Sequence, residues 1–260
     1  MFNYKFCNII VILLFFFLVN TNNLLAYEGL NADHILIKAD ESRSPWSDFT
    51  MTATLTYEKD NEPKKDIFRV FVKDHLKSLV IFISPVKQQG NCLLMVDENL
   101  WYFVKDTQRP VRITPIQKLS GGASYGDISR LSWSKDYEAE IAGEEIIKIN
   151  EKDYDTWHLN LKAHSPSATY NTIHLYVEKA TGFPRKAIVF LKSGKKMKTI
   201  YFLNFSKHHG KMLNTTIQFV DHLCSDSITN LLFSHISVNN LPERYFLKSN
   251  LQNITNESPQ

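Results

Sequence analysis

The chain has 260 residues, with 30 Lys and Arg against 27 Asp and Glu and a formal net charge of +3 at pH 7. So small a surplus argues against a nucleic-acid partner, which needs basic residues clustered on one face. The composition, 43% hydrophobic, fits a globular domain, and the length suits one domain or one large decorated sheet.

The N-terminus reads as an export leader. Lys5 is the only charge before Glu28, and Ile9 to Val19 is an unbroken apolar run. A polar stretch follows, then Leu24-Leu25-Ala26 as a cleavage site before Tyr27. The apolar run is shorter than the roughly 20 residues of a membrane-spanning helix, which favours cleavage over an uncleaved anchor. The expected organisation is a leader over 1–26, one domain over 27–247, and a polar disordered tail over 248–260. Loss of residues 1–26 removes one Lys and no acid, leaving 29 basic and 27 acidic side chains, a charge of +2. No Cys follows the apolar core closely enough to accept a lipid. Cys92 and Cys224 would remain, either as a disulfide or as free thiols.

Asn31 is a suitable cap for a first helix over 32–40, which Ser44-Pro45 then excludes from continuing. Strands follow with period-two patterning: 49–58, 66–73, 79–83, 92–96 and 100–104, the last two joined by a turn at Asp97-Glu98-Asn99. In the second strand Phe68, Val70 and Val72 share one face. Two short helices are predicted next. One runs from Pro115 to Ser120, capped by Thr114 and stopped by Gly121. The other runs from Asp127 to Ser132 with Asp127 as its cap. Further strands are expected over 138–149, 156–163, 170–178, 185–191, 196–205, 212–221 and 227–238, separated by turn-forming residues such as Ser193-Gly194 and His208-His209-Gly210. No strand–helix alternation occurs, so the sheet is antiparallel. Several strands are apolar on both faces, and that excess needs a cover. The expectation is a mainly β fold: a strongly curved antiparallel sheet forming an incomplete barrel, with a helical lid in its concave mouth. Such a space either holds a ligand or is a permanently packed core.

The stretch from Ser84 to Trp133 carries a family resemblance. Its features are Pro85 followed by Gly90, Cys92-Leu93-Leu94-Met95, Asn99-Leu100-Trp101-Tyr102-Phe103, Arg112-Ile113, Gln117-Lys118-Leu119 and Asp127-Ile128-Ser129. The opening helix with Ala32-Asp33, Ile35-Leu36, Asp40 and Arg43 adds to it, as does Thr181-Gly182-Phe183-Pro184-Arg185. The chain resembles the outer-membrane lipoprotein-sorting protein family, relatives of the periplasmic carrier LolA. The resemblance implies an incomplete barrel with helices in its mouth and a periplasmic carrier of acyl chains, from lipoproteins or lipids. It also implies partners: an inner-membrane export complex and an outer-membrane receptor. Each methylene moved from water into an apolar site gains about 0.8 kcal/mol, so such a site can hold a lipid without a strong polar contact. The expected ligand-facing residues are Phe68, Val70, Val72, Leu94, Trp101 and Phe103, with Ile116, Leu119, Ile128 and Leu131 on the lid. No cofactor is implied.

Catalytic readings are weaker. There is no HExxH helix and no Cys-supported metal spacing, and His208-His209-Gly210 is more simply a turn. Gly122-Ala123-Ser124-Tyr125-Gly126 matches Gly-x-Ser-x-Gly in letters but lacks the preceding strand and long following helix of a nucleophile elbow. Neither catalytic nor metal-binding residues are assigned. A lipoprotein- or protein-binding sensor without cargo transfer is the second reading. Asn204, Asn214 and Asn253 open glycosylation patterns that mean nothing in a bacterium lacking the machinery.

Overall fold

The computed structural model describes residues 31–256. The expected leader and Cys7 lie outside the described residues. Helix α1 (Ala32–Glu41) buries Leu36, Ala39 and Asp40. Strands β1 (Phe49–Lys59), β2 (Glu62–Lys73), β3 (Lys77–Ser84), β4 (Cys92–Val96), β5 (Asn99–Val104) and β6 (Arg109–Ile113) follow. A small hairpin, β7 (Lys118–Ser120) and β8 (Ala123–Ser124), leads into the five-residue helix α2 (Tyr125–Ser129). Strands β9 (Tyr137–Ile149), β10 (Lys152–Ala163), β11 (Thr172–Glu178), β12 (Pro184–Phe190), β13 (Lys196–His208), β14 (Lys211–Asp221) and β15 (Ser227–Ser237) complete the sheet, and α3 (Leu251–Asn256) ends the described chain.

Thirteen strands form one antiparallel sheet in the order β6-β5-β4-β3-β2-β1-β15-β14-β13-β12-β11-β10-β9. Every neighbour but β1–β15 is sequential, as short hairpins dictate. The expected strongly curved, incomplete barrel is corrected here: β6 and β9 are opposite edges of an open sheet that is neither closed nor strongly curled. Strands apolar on both faces suggested enclosure. They are instead covered from both sides by separate pieces of chain.

Cross-strand pairs point to the same side and successive residues to opposite sides, so the register assigns the faces. One side carries Phe68, Val70 and Val72 of β2 with Phe82 and Val80 of β3, then Leu93 and Tyr102. On β1, β15, β14 and β13 the same side carries Ala53, Phe233, Leu231, Ile217 and Phe202. It lies under residues 114–133 and is termed the cover face. On the other side Phe71, Leu79, Ile81, Cys92, Leu94 and Phe103 pack against Leu241, Phe246, Leu251 and Ile254 of the C-terminal segment. This is the strap face, and the part of the strap from residue 248 onward falls in the stretch expected to be a disordered tail. Leu251 and Ile254, three positions apart on one helical face, are each only 1% exposed.

The strap is fastened at its root. Asp48 accepts from the Leu241 N–H at 3.1 Å and from Lys73 Nζ at 3.0 Å. Burial would raise the Asp48 carboxyl, but bonds from Leu241, Lys73, Ser47 and Asp74 outweigh it and bring it down to about 2. A carboxyl depressed on folding stabilises above its unfolded value, near 3.9, and loses that contribution as pH falls through 2. Hydrogen exchange of residues 241–254 is therefore expected to accelerate between about pH 4 and pH 2, and Asp48→Asn should show the fast exchange already at neutral pH. Equal protection in both proteins across that range would disprove the clasp.

Cys92 and Cys224 are free thiols, one buried beneath the strap and one exposed in the β14–β15 turn. Burial pushes the Cys92 thiol up to about 12.

Candidate functional site

The cover differs from the two helices predicted. The first, 115–120, is replaced by a turn and β7. Gln117 N–H donates to Thr114 O, and the N–H groups of Tyr125 and Gly126 return to the carbonyls of Gln117 and Pro115. The second begins earlier, with Ser124 rather than Asp127 as its cap. Asp127 sits at the third helical position and its Oδ2 accepts from the Ser124 N–H at 2.8 Å. Leu131 falls beyond the helix. Two glycines allow close approach. A Cβ on Gly126 would lie 2.1 Å from Thr169 Oγ1, and one on Gly121 (φ +55°) would lie 2.3 Å from Thr229 Oγ1.

The cover touches the sheet through apolar and polar contacts. Helix α2 packs on β3 and β4. The Tyr125 ring lies 5.8 Å from Tyr102, and Ser78 Oγ donates to Ser129 O at 2.6 Å. Ile128 and Leu131 are buried, while Ile116 and Leu119 are half-buried.

Three buried ionic groups fix the cover. Lys198 of β13, 1% exposed, donates to Gly122 O at 2.5 Å, Ser124 Oγ at 3.1 Å and Asp127 Oδ2 at 3.1 Å. Tyr170 donates to both Asp127 oxygens at 2.8 Å. Burial and the adjacent carboxylate hold its phenol well above the ordinary value, so it stays a donor. Arg130 grips Asp136 with two bonds, Nε to Oδ2 at 2.6 Å and Nη2 to Oδ1 at 2.7 Å. Burial alone would raise the Asp136 carboxyl; bonds from Arg130 and Ser167 outweigh it and hold it below the usual range. Asp40 of α1 accepts from the N–H groups of Trp133 and Ser134, each at 2.8 Å, and from Ser132 Oγ. Arg43 stacks over the Trp133 ring at 3.7 Å, and its Nη1 lies 3.7 Å from Asp40 without a hydrogen bond among the described residues.

Between these groups and the cover-face residues Ile173, Ile200, Phe202 and Phe219 lies a cavity of about 20 Å³. That is room for about one water, so the cover is packed down on the sheet.

The structure divides the predicted ligand-facing set. Phe68, Val70 and Val72 lie on the cover face, and Ile128 is buried in helix α2, which packs on β3 and β4. Leu94, Trp101 and Phe103 face the strap instead, with Lys248 Nζ 4.1 Å over the Trp101 ring. Their neighbours Leu93 and Tyr102 take the cover side. A one-residue error flips a strand's faces, and CLLMV and LWYFV have no polar alternation to prevent it. The buried ties from Lys198, Tyr170, Arg130 and Asp136 have no sequence signal of their own, because strand lysines and loop acids read as surface; Asp40 and Asp127 stand among the residues that carry the family resemblance.

Ser124, the serine of the Gly-x-Ser-x-Gly match, is 1% exposed and accepts from Lys198. That lysine is ion-paired with Asp127, and an ammonium has no lone pair to take the serine proton. The serine is a structural tie. Among the described residues no group of three His, Cys, Asp or Glu side chains is placed to hold a metal. His208-His209-Gly210 forms the β13–β14 turn, with His209 and Gly210 at positive φ.

The molecule is an open antiparallel sheet with apolar residues on both faces, one of them under a polar-tied cover. A LolA superfamily protein from Nitrosomonas europaea is 30% identical, with a TM-score of 0.77, over 85% of this chain and 99% of its own. The chain belongs to the LolA superfamily. A DUF1329 family protein from Desulfovibrio piger (18% identity, TM-score 0.72, 85% and 98% of the two chains) shares the fold. So does a domain from Vibrio parahaemolyticus described as an outer-membrane lipoprotein-sorting protein (21%, 0.71, 85% and 100%). The matching family model, described only as "Uncharacterized protein", covers residues 74–253. No curated protein matches the chain.

Proposed function

We propose that the chain is a periplasmic carrier that holds acyl chains of lipoproteins or lipids against the cover face and takes part in their sorting to the outer membrane. The observation that carries this reading is the continuous apolar cover face beneath a segment fastened mainly by polar ties. A core that never opens gains more from apolar packing, whereas ion pairs and hydrogen bonds can be exchanged for water when the cover lifts. The cavity of about 20 Å³ is the closed state, and loading displaces residues 114–133. An inner-membrane donor and an outer-membrane acceptor are the partner classes this role requires. Among the described residues no helix is long and apolar enough to cross a membrane.

Adjacent residues test the assignment of faces. Tyr102 and Trp101 are both half-buried and point to opposite sides. Tyr102→Glu is expected to cut retention of a fluorescent fatty-acyl probe by an order of magnitude or more, roughly the worth of one or two buried methylenes and the cost of a nearby charge. Trp101→Glu loosens the strap and should leave retention unchanged. Equal losses in the two variants, with both still melting cooperatively, would remove the cover face as the acyl site.

A further inference from the structure

We propose that Arg43 is the head-group anchor of the cover-face site, and that the cargo is an acyl chain ending in an anionic group, a carboxylate or a phosphate. This rests on the carrier reading and narrows it. The Arg43 side chain is 8% exposed, and its Nη1 has no hydrogen-bond partner among the described residues. Arg43 lines the cavity between cover and sheet, together with the apolar residues Ile173, Val189, Ile200, Phe202 and Phe219 of the sheet. A buried guanidinium beside an apolar floor suits an amphiphile with an anionic head, because its fork of N–H donors matches a carboxylate or a phosphate.

The acids around the cavity are already engaged. Asp127 accepts from Lys198, Tyr170 and the Ser124 N–H. Asp136 accepts from Arg130 and Ser167. Asp40, 3.7 Å from Arg43 Nη1, gives its oxygens to the N–H groups of Trp133 and Ser134 and to Ser132 Oγ. Positive and negative side chains therefore balance here, but the acceptors are used and Arg43 keeps donors to spare. Its Nη2 makes one long contact, 3.5 Å to Arg130 O. Burial acts on the Arg43 charge more strongly than Asp40 and Asp127 offset, which holds its pKa below the usual arginine value. Arg43 is also placed to stay behind when the cover lifts. Ser42 O accepts from the Asn214 N–H, and Pro45 O from Lys211 Nζ, both at 2.7 Å, so the segment around Arg43 is pinned to β14.

Dodecanoic acid labelled at its far end with nitrobenzoxadiazole, and the methyl ester of the same probe, test the anchor by fluorescence titration. The parent protein is expected to bind the acid about ten- to a hundredfold more tightly than the ester, the worth of a buried charged hydrogen bond. In Arg43→Gln the two affinities should become nearly equal. Arg43→Lys should keep part of the preference, since an ammonium retains the charge and loses the fork. Unlabelled competitors separate the two sources of the anion. Displacement of the acid probe by dodecanoate and dodecyl phosphate alike admits phospholipid-type heads, and displacement by dodecanoate alone restricts the cargo to free fatty acids. Dodecanol competing as well as either would overturn the anchor. So would equal affinities for acid and ester in the parent, whether or not the variants fold, or a full preference in a folded Arg43→Gln; these results leave the carrier reading intact. Binding of neither probe would remove the carrier reading and the anchor with it.

Discussion

Arg130→Met is expected to lower the free energy of unfolding by about 3–5 kcal/mol, a large share of what a domain of this size possesses. Asp136 has no exposed side-chain surface, and Arg130 is only 7% exposed. Removing the guanidinium leaves a buried carboxylate with Ser167 and little else, and an unpaired buried charge costs far more than the pair contributes. The arginine also reaches the carbonyls of Leu76 and Asp97, at 3.4 and 3.3 Å, so it ties the end of the cover to the turns after β2 and β4. Arg130→Lys should recover little, because an ammonium cannot make the two parallel bonds. The double variant Arg130→Met, Asp136→Leu should recover much of the loss, since it removes both charges. Denaturant titrations of the four proteins decide this. A single variant within about 1 kcal/mol of the parent would mean that water already reaches the pair.

Lys198→Met is the second large effect, expected to cost about 3–5 kcal/mol for the same reason, Asp127 being left buried beside Tyr170. This lysine differs in what it joins. Its strand belongs to the sheet, and all three of its acceptors belong to the cover. Protection should therefore fall first in residues 121–130, while β10 and β11 keep theirs, and a bound acyl probe should exchange faster. Asp127→Asn keeps the shape and an acceptor for both Lys198 and Tyr170, and should cost less. Uniform loss of protection across the sheet would make Lys198 a general core contact rather than a fastening of the cover.

Much of the fold is legible in the sequence because its determinants are local. Helix α1 has its cap and its stop, and most strands start and end within a few residues of their expected places, since turns such as Asp97-Glu98 and Ser193-Gly194 punctuate them. Strand β6 is hidden by its composition: Arg109-Pro110-Val111-Arg112 reads as loop, and proline is tolerated there because β6 is an edge. The failures are of long range. CLLMV and LWYFV cannot declare their faces, and the strap that covers one of them presents Leu241, Phe246, Leu251 and Ile254 scattered among polar residues. The ties of the cover join residues as far as 107 positions apart, as with Gly122 and Thr229, beyond the reach of any local pattern. Apolar strands without a wet face therefore suggest the wall of a curled sheet, whereas two covers on an open sheet satisfy the same need.

The central claim is that the cover face receives acyl chains. Native mass spectrometry of the protein, purified without detergent and followed by organic extraction, tests it most directly. The account predicts a bound mass that extracts as lipid or as acylated peptide, and that is lost or exchanged more readily in Lys198→Met. A clean unliganded mass, together with no uptake of a fatty-acyl probe by either protein, would contradict it and leave a permanently packed sheet with a protein-binding role.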